Sequence, residues 1–338
     1  MKFKRSISSK SQLKTLVALA VPVSIGQAGN VIVNMTDTAM LGKYDSSHMI
    51  ASTFGFNVFI IPFVFLIGIS IGLTALASKK IGERKHPQLF GAALYTYLCI
   101  AVFIFIFLYL LSFQLYRFHP DSNIVGLAKP YLIIMGASVI PLAIFFSFKQ
   151  YFEAYGFTVL ATIISLFSNV LNIGLNYVLI FGKCGFEPLG IEGAAYATLI
   201  SRTIGVPIFM IIVRTNNKYG SKIRIEDFKF DFEKVKGLIK IGFPIGIQMF
   251  IEVTAFALAG IFTGWIGNAE QGAHQIALQL AALTYLLVSG FGSASTILAG
   301  QYLGEQNKVA LLRLIKNVLV LVIIFEVLSA IFLSLIHI

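Results

Sequence analysis

Charged residues are scarce in this chain of 338 residues: Asp, Glu, Lys and Arg together make up 12% of it, whereas hydrophobic residues make up 57%. An average soluble domain contains about 25% charged residues, and a soluble fold of this length has too little interior to hide so much apolar surface. The mean hydropathy of +0.85 points the same way. The composition therefore excludes an ordinary soluble enzyme and indicates a protein that lies in a lipid bilayer.

Cysteine and histidine are also rare. The two cysteines, Cys99 and Cys184, lie in different segments, which excludes a disulfide framework and a cysteine-based zinc site. The five histidines are scattered at the ends of apolar runs, so they offer no His-carboxylate or metal-ligand constellation. An integral-membrane enzyme is therefore disfavoured and no cofactor is expected. A channel is disfavoured as well, because no filter-like loop or ring of charges is visible.

Nine apolar runs are long enough to cross the hydrocarbon core as helices. They cover residues 15–39, 49–78, 90–113, 130–150, 157–181, 189–213, 238–264, 273–299 and 311–337. Each run is continuously apolar instead of alternating at every second residue, which excludes the strands of a membrane barrel. The sequence therefore predicts an all-α polytopic membrane protein.

Basic residues outnumber acidic ones by 26 to 15, and their distribution along the chain predicts its orientation. If the N-terminus is cytoplasmic, 21 of the 26 fall in cytoplasmic segments, as the positive-inside rule requires. We therefore expect a multi-pass protein of the plasma membrane, the inner membrane of a bacterium, with a cytoplasmic N-terminus. Nucleic acid is not an expected partner, because the basic residues lie between spans and not on one soluble face.

An internal repeat divides the chain. A shift of 222 positions superimposes matched residues without a gap, including Lys14 on Lys236, Pro22 on Pro244, Gly42 on Gly264, Gly68 on Gly290, Gly82 on Gly304 and Glu83 on Glu305. Six spans, an even number, precede the second copy, so both copies start on the same side of the membrane, as in many transporters.

The repeat predicts three segments of different character. Residues 1–213 form an N-lobe of six helices, 214–237 a solvated and basic cytoplasmic linker, and 238–338 a partial C-lobe of three helices. Two complete copies would need about 444 residues. We therefore expect a two-lobed transporter of which about nine of twelve helices are present, so that the chain is truncated at its C-terminus.

Amides recur every three or four positions within two of the spans, so they share one face of each helix. They are Gln27, Asn30 and Asn34, with Asp37, in span one, and Asn169, Asn172 and Asn176 in span five. Polar side chains at membrane depth are costly and usually face a wet cavity or the interior of the bundle. Two interpretations of the span-five asparagines stay open, cavity lining and hydrogen bonds that hold helices together.

Span seven adds a carboxylate, Glu252, with Gln248 one turn before it, and span eight begins with Gln275 and Gln279 on one face. We interpret these glutamines as cavity lining. A lone buried carboxylate is energetically costly for a fold, but it can exchange a proton for Na⁺ or for a cationic substrate. Glu252 and Asp37 are therefore the predicted cation-coupling residues, with Glu252 as a candidate ligand of Na⁺.

Two further charged residues lie inside spans. Glu326, in the last span, faces either a partner or helices absent from this chain. Arg202 lies about 80° from Glu192 around the helix of span six, so the two are not expected to pair.

Together these features resemble the multidrug and toxic compound extrusion (MATE) family, in particular its NorM-like bacterial branch. The resemblance rests on Pro22 to Gln27 followed by Thr36 to Gly42, on Leu-Asn-Ile-Gly-Leu-Asn-Tyr at 171–177, on Gly-Phe-Pro at 242–244 with Glu252, on Ala-His-Gln at 273–275 and on Gly-Glu at 304–305. Each motif alone is weak, but their order and spacing extend over nearly the whole chain.

The resemblance implies a monomeric efflux pump of two lobes and twelve helices, which exchanges Na⁺ or H⁺ for amphipathic, often cationic, organic compounds. In that family Asp37 would be the first-helix aspartate of the N-lobe cavity, Asn172 and Asn176 the fifth-helix amides, and Glu252 the seventh-helix glutamate of a C-lobe cation site. The family's tenth-helix aspartate, the partner of that glutamate, would lie beyond residue 338.

Two alternatives remain open from the sequence. A flippase for lipid-linked saccharides shares the broader superfamily, but it would need buried Arg or Lys to bind phosphates, and only Arg202 is available. The chain could also be an inactive fragment, because the tenth-helix aspartate is absent.

Overall fold

The computed structural model describes residues 9–118, 121–266, 285 and 288–335, and all regular structure in these ranges is helical. The helices are α1 (Ser9–Tyr44), α2 (Ser46–Gly82), α3 (Phe90–Ser112), α4 (Ser122–Ala137), α5 (Val139–Ala154), α6 (Thr158–Phe181), α7 (Gly190–Thr215), the short α8 (Asn217–Gly220), α9 (Phe232–Ile266), α10 (288–304) and α11 (Lys308–Leu335). The predicted all-α polytopic class is confirmed.

Eight helical segments of the described residues are long and apolar enough to cross a membrane, and they match eight of the nine predicted spans. The predicted span 273–299 lies mostly outside the described residues, and α10 contains its last part. Three of the observed helices, α1, α2 and α9, are much longer than the apolar runs that predicted them. Both ends of α1, for example, extend into polar residues, because a helix continues until its backbone groups find other partners or water.

The fourth span differs from its prediction, since it consists of two helices, α4 and α5, that together cover Ser122–Ala154. The break falls at Ser138, whose hydroxyl donates to the Met135 carbonyl at 2.6 Å. Pro141 lies three residues further on and has no N–H to donate to the carbonyl one turn earlier. A proline and a hydroxyl that bonds back to its own backbone are the usual causes of such a break.

The main apolar core lies among α2 to α7 and is rich in aromatic side chains. Phe148, Phe152 and Phe209 stack with centroids 5.4 to 5.7 Å apart, and Phe90 and Tyr151 beside them are fully buried. A second, smaller core joins the start of α1 to α10 and α11 around Leu16, Leu298 and Leu314. The start of α1 therefore packs against helices of the second repeat.

Glycines allow α2 and α9 to touch at their backbones. Gly68 faces Gly246 and Gly72 faces Gly242, and a Cβ added to Gly72 would lie 2.9 Å from the Gly242 Cα. Each helix thus carries a pair of glycines four residues apart on the contact face, which is the small-residue pattern of close helix packing in membranes. The two repeats meet here without any intervening side chain.

The contacts between the repeats are reciprocal under the shift of 222 positions. Gly82 packs on the Gln301 carbonyl, and Gly304 packs on the Lys79 carbonyl. The shift places Lys79 on Gln301 and Gly82 on Gly304, so one contact generates the other. This reciprocity is what a two-fold axis between parallel repeats requires, and it supports the repeat. The lobe boundaries at 213 and 238 stay a prediction.

The sequence predicts a solvated linker, but part of the linker is buried. Asp227 is 1% exposed. Its carboxylate accepts a hydrogen bond from the Arg224 amide at 2.7 Å and lies 3.3 Å from His86 Nδ1. Tyr95 donates to the Phe228 carbonyl at 2.9 Å. The charge pattern could not reveal this docking, because it depends on residues of the α2–α3 loop and α3.

We expect the substitution Gly242→Ala to destabilise the protein, since the new Cβ would lie 2.6 Å from the Ile69 Cα, a backbone atom that cannot easily move. Overpacking of this kind costs about 1–3 kcal/mol. Gly237→Ala is the matched control in the same helix, because a Cβ there meets nothing within 4 Å. Thermal unfolding in detergent should show a lower midpoint for Gly242→Ala only. Equal midpoints for the two variants would contradict the close α2–α9 contact.

We expect Asp227→Ala to release the linker, since the buried carboxylate then no longer accepts from the Arg224 amide. If the free energy of linker docking falls by about 1–2 kcal/mol, the population of molecules with an undocked linker rises about 5- to 30-fold. Limited trypsin digestion at the linker sites Lys222, Arg224 and Lys229 should accelerate accordingly. Glu226→Ala, which removes an exposed carboxylate from the same turn, should leave the cleavage rate unchanged. Equal acceleration in both variants would argue against a docked linker.

Candidate functional site

The two polar stripes face each other across the contact between α1 and α6. Asn169 donates to Asn30 Oδ1 at 3.2 Å, and Asn176 donates to Asp37 Oδ1. In each pair the two residues are 139 positions apart in the sequence. Along each helix the two pairs are two turns apart. The helices therefore run parallel in a constant register, which brings the stripes together over about 10 Å of helix.

A chain of hydrogen bonds connects Asp37 to α7. Asn176 Nδ2 also donates to Asn172 Oδ1 at 3.0 Å, and Asn172 Nδ2 donates to Thr198 Oγ1 at 3.2 Å. Asn176 is fully buried and Asn172 is 3% exposed, whereas Asp37 is only half-buried. The two asparagines in the middle of the network are thus shielded, whereas Asp37 and Thr198 at its ends are half-buried.

One oxygen of this network has no hydrogen-bond partner among the described residues. It is Oδ1 of Asn176, and it is buried. A buried polar atom without a partner calls for an explanation such as a bound ion or a proton donor. The amide oxygen and the Asp37 carboxylate are both hard oxygen ligands. They suit a proton shared with the carboxylate, or a cation such as Na⁺.

Helix α7 supplies side chains that the sequence did not assign to the site. Thr198 closes the hydrogen-bond chain, and Arg202, one turn further, interacts electrostatically with Asp37 and with Tyr131 of α4. The spacing of four residues between Thr198 and Arg202 could have suggested a shared face. Which face of α7 meets α6 depends on tertiary packing, however, and one helix alone does not reveal it.

The remaining predicted residues of α1 are less engaged. Asn34 is exposed and Gln27 is half-buried, and within the described ranges no hydrogen bond joins either side chain to another helix. A groove of about 590 Å³ is lined by residues of α1 and α6, most of them apolar. The lining residues are Ile32, Met35, Thr36, Ala39, Met40, Lys43, Tyr177 and Phe181. None of these residues belongs to the Asp37 network, although α1 and α6 contribute to both.

The acid of the second repeat has fewer described neighbours. Glu252 is half-buried on α9, and the hydroxyl of Tyr285 interacts with its carboxylate. Gln248 is exposed. The predicted cavity residues Gln275 and Gln279 lie outside the described residues. The structure therefore joins Asp37 to its predicted asparagines, while the predicted Glu252 cluster stays untested.

Glu326 lies on α11 and is exposed. An exposed carboxylate within a membrane span requires either water that reaches it or another helix that packs over it.

Comparison with known proteins places these features in a family context. The profile of the MatE family matches residues 22–178 and 244–338, and the two matched segments begin 222 positions apart. The probable multidrug resistance protein NorM of Bacillus subtilis is 27% identical over 308 residues, which cover 88% of this chain and 67% of the relative. The corresponding protein of Thermotoga maritima is 28% identical over 319 residues, with 93% of this chain and 68% of the relative covered.

Solved structures show the same fold. A MATE transporter of Vibrio cholerae superimposes with a TM-score of 0.88 at 21% identity and covers 97% of this chain, which in turn spans 74% of that structure. The chain thus spans about two thirds of the length of the curated relatives that it matches and about three quarters of the solved structure.

The α6–α7 hydrogen bond gives a test of the network. Thr198→Val leaves the buried Asn172 Nδ2 without its acceptor and should destabilise the protein by about 0.5–2 kcal/mol. Thr203→Val is the control on the same helix, because that hydroxyl is exposed and donates to the Leu199 carbonyl of its own helix. Thermal unfolding in detergent should separate the two variants. If both midpoints match that of the unaltered protein, Thr198 does not close the network.

Proposed function

Because the chain belongs to the MatE family, whose NorM members are multidrug efflux transporters, we propose that it exports amphipathic organic compounds in exchange for Na⁺ or H⁺. The exchange would take place across the plasma membrane, with the N-terminus of the chain in the cytoplasm. The family is one of transporters and its substrates are small molecules. The coupling ion, the substrate class and the monomeric state belong to the proposal.

The observation that carries the proposal is the position of Asp37. Its carboxylate is half-buried in a membrane-spanning helix and accepts a hydrogen bond from the fully buried Asn176. A carboxylate held in this way can bind a proton, Na⁺ or an organic cation, but not two of them at once. Competition of two ligands for one charge is the minimum that an antiporter requires, because each ligand then displaces the other.

The surroundings of Asp37 suit this exchange. Asn176, which donates to the carboxylate, is uncharged, so it orients the carboxylate without carrying a neutralising charge. The groove lined by α1 and α6 has a volume within the range of ligand pockets, about 300–1,000 Å³, and most of its lining side chains are apolar. Such a surface would accept the hydrophobic part of an amphipathic compound.

Glu252 would be the equivalent acid of the second repeat. It occupies the position of Asn30 under the shift of 222, so the two repeats are polar at one shared position but ionisable there only in the second. An acid in each repeat allows both to respond to the coupling ion. Asp37 is the better supported coupling residue, because the structure describes the asparagines of its network, whereas Gln275 and Gln279 lie outside the described residues.

We expect the substitution Asp37→Asn to weaken binding of the cationic dye ethidium at least ten-fold, about 1.4 kcal/mol. In the unaltered chain, binding should weaken as the pH falls or as Na⁺ is added, depending on the coupling ion. In Asp37→Asn it should no longer respond to either. Fluorescence titration of the purified 338-residue chain in detergent measures both effects.

Asp45→Asn is the matched control for this titration. Asp45 caps α2 from an exposed position and accepts from the Ser47 amide, and asparagine can keep this cap. For the second repeat, Glu252→Gln is compared with Glu326→Gln, the same change at an exposed position of another span.

Transport is measured as ethidium efflux from proteoliposomes under a Na⁺ or an H⁺ gradient. It is run with this chain and with a version extended by the C-terminal third of a NorM relative. Export by the extended version that ignores both gradients, or that is unchanged by both Asp37→Asn and Glu252→Gln, would overturn antiport.

A further inference from the structure

The linker presents large apolar side chains on a surface that no described helix covers. Phe228 is 43% exposed and Phe230 is 64% exposed, although Asp227 just before them is buried. Phe232, the first residue of α9, continues the alternation and is exposed as well. Neighbouring exposed apolar side chains of this size mark an interaction surface. The proposed export has no use for it.

The two phenylalanines are held against the start of α3. The ring centre of Phe228 lies 5.2 Å from that of Phe90, and the ring centre of Phe230 lies 5.9 Å from that of Tyr95. Tyr95 also donates to the Phe228 carbonyl at 2.9 Å. Lys229, between the two phenylalanines, has extended backbone angles, so their side chains share one side of the segment. Both rings therefore have a fixed position on α3.

Tyr95 lies on the side of α3 that faces lipid. Cys99, Val102 and Ile106 are exposed and lie within about 40° of Tyr95 around the helix. Ile104, on the opposite side, is buried in the main core. Because α3 is an apolar span, its exposed side meets lipid chains. The aromatic side of the linker is therefore continuous with the lipid-facing surface of α3.

The length of α3 gives the depth of this surface. The helix has 23 residues and is about 34 Å long, slightly more than the hydrocarbon core of about 30 Å. Tyr95 follows the first residue, Phe90, by about 7 Å along the axis. In a centred span, Tyr95 then lies about 5 Å inside the edge of the hydrocarbon, a depth at which amphipathic segments bury their apolar faces.

The charge of the linker suits the same location. It has seven basic residues and four acidic ones. Two of the acids are engaged within the protein, since Asp227 is buried and Asp231 pairs with Lys234 at 3.2 Å. Arg224 and Lys236 are exposed. Basic segments next to a span are attracted to the anionic surface of the cytoplasmic leaflet.

We propose that Phe228 and Phe230 anchor the linker in the bilayer, with their rings at the boundary between the headgroups and the acyl chains. The leaflet is the one on the side of the linker, which is the cytoplasmic leaflet in the predicted orientation. The partner of this surface is phospholipid, whose acyl carbons pack on the rings while its phosphates meet Arg224 and Lys236. This inference depends neither on export nor on the coupling ion.

The test places a single tryptophan on the aromatic side of the linker. The chain has one tryptophan, so Phe230→Trp is made together with Trp265→Phe. The purified 338-residue chain is reconstituted in phosphatidylcholine–phosphatidylglycerol vesicles whose acyl chains carry bromine, a contact quencher, either near the headgroup or near the chain end. Tryptophan emission should fall about two-fold with bromine near the headgroup and less with bromine near the chain end, as the shallow depth requires.

Three further tryptophan positions, in the same Trp265→Phe background, calibrate the result. Lys229→Trp lies on the opposite side of the extended segment and should be quenched little. Phe103→Trp, at an exposed position close to the middle of α3, should respond most to bromine near the chain end, which verifies insertion of the chain. Phe228→Trp repeats the measurement on the aromatic side in case Phe230→Trp does not fold.

The anchor is overturned if both Phe230→Trp and Phe228→Trp ignore the two bromine positions while Phe103→Trp responds. A soluble protein would then be the better partner for this surface. Equal quenching of Lys229→Trp and Phe230→Trp overturns it too, because the aromatic side is then not distinguished. Quenching confined to the aromatic side supports the anchor whether or not the chain exports ethidium, so this inference and the proposed function can fail separately.

Discussion

The interior of a bilayer offers helices no hydrophobic reason to associate, because lipid tails are as apolar as leucine side chains. In this protein two other interactions join the helices. Glycines bring the backbones of α2 and α9 into contact, and amide hydrogen bonds connect α1, α6 and α7. The first interaction joins the two repeats and the second builds the Asp37 site. The second depends on the exclusion of water from the buried amides Asn172 and Asn176, because water would compete for their hydrogen bonds.

The glycine contacts also explain why the repeat is visible in the sequence at all. Gly82 and Gly304 cannot take a side chain, since each packs on a backbone carbonyl of the other repeat. A two-fold relation imposes the same requirement on both copies, so the residues match at a fixed offset although most lipid-facing residues do not. The position of Pro22 and Pro244 in corresponding helices follows the same offset.

Much of the fold and part of the site could be predicted from residue spacing alone. Apolar runs predict the helices because every spanning segment must satisfy its own backbone. The spacing of Asn30 and Asp37 predicts a polar face because the helical period is fixed. Spacing within one helix does not reveal its neighbours, however. Thr198 and Arg202 were therefore not assigned to the site, and the buried position of Asp227 in the linker was not foreseen.

The closest backbone contacts of α2 lie between Gly68 and Gly82, the half of the helix that the charge pattern predicts to be nearer the cytoplasm. The other half, residues 46–67, continues for about 33 Å beyond these glycine contacts. Because Phe59, Phe63 and Leu66 of this half are buried in the core among α2 to α7, α2 and that core would turn together about a fulcrum at the glycines. A rotation of about 10° there moves the far tip by about 6 Å, given the helical rise of 1.5 Å per residue. The glycines of the contact between α2 and α9 therefore mark the point about which large displacements of the protein are geometrically easiest.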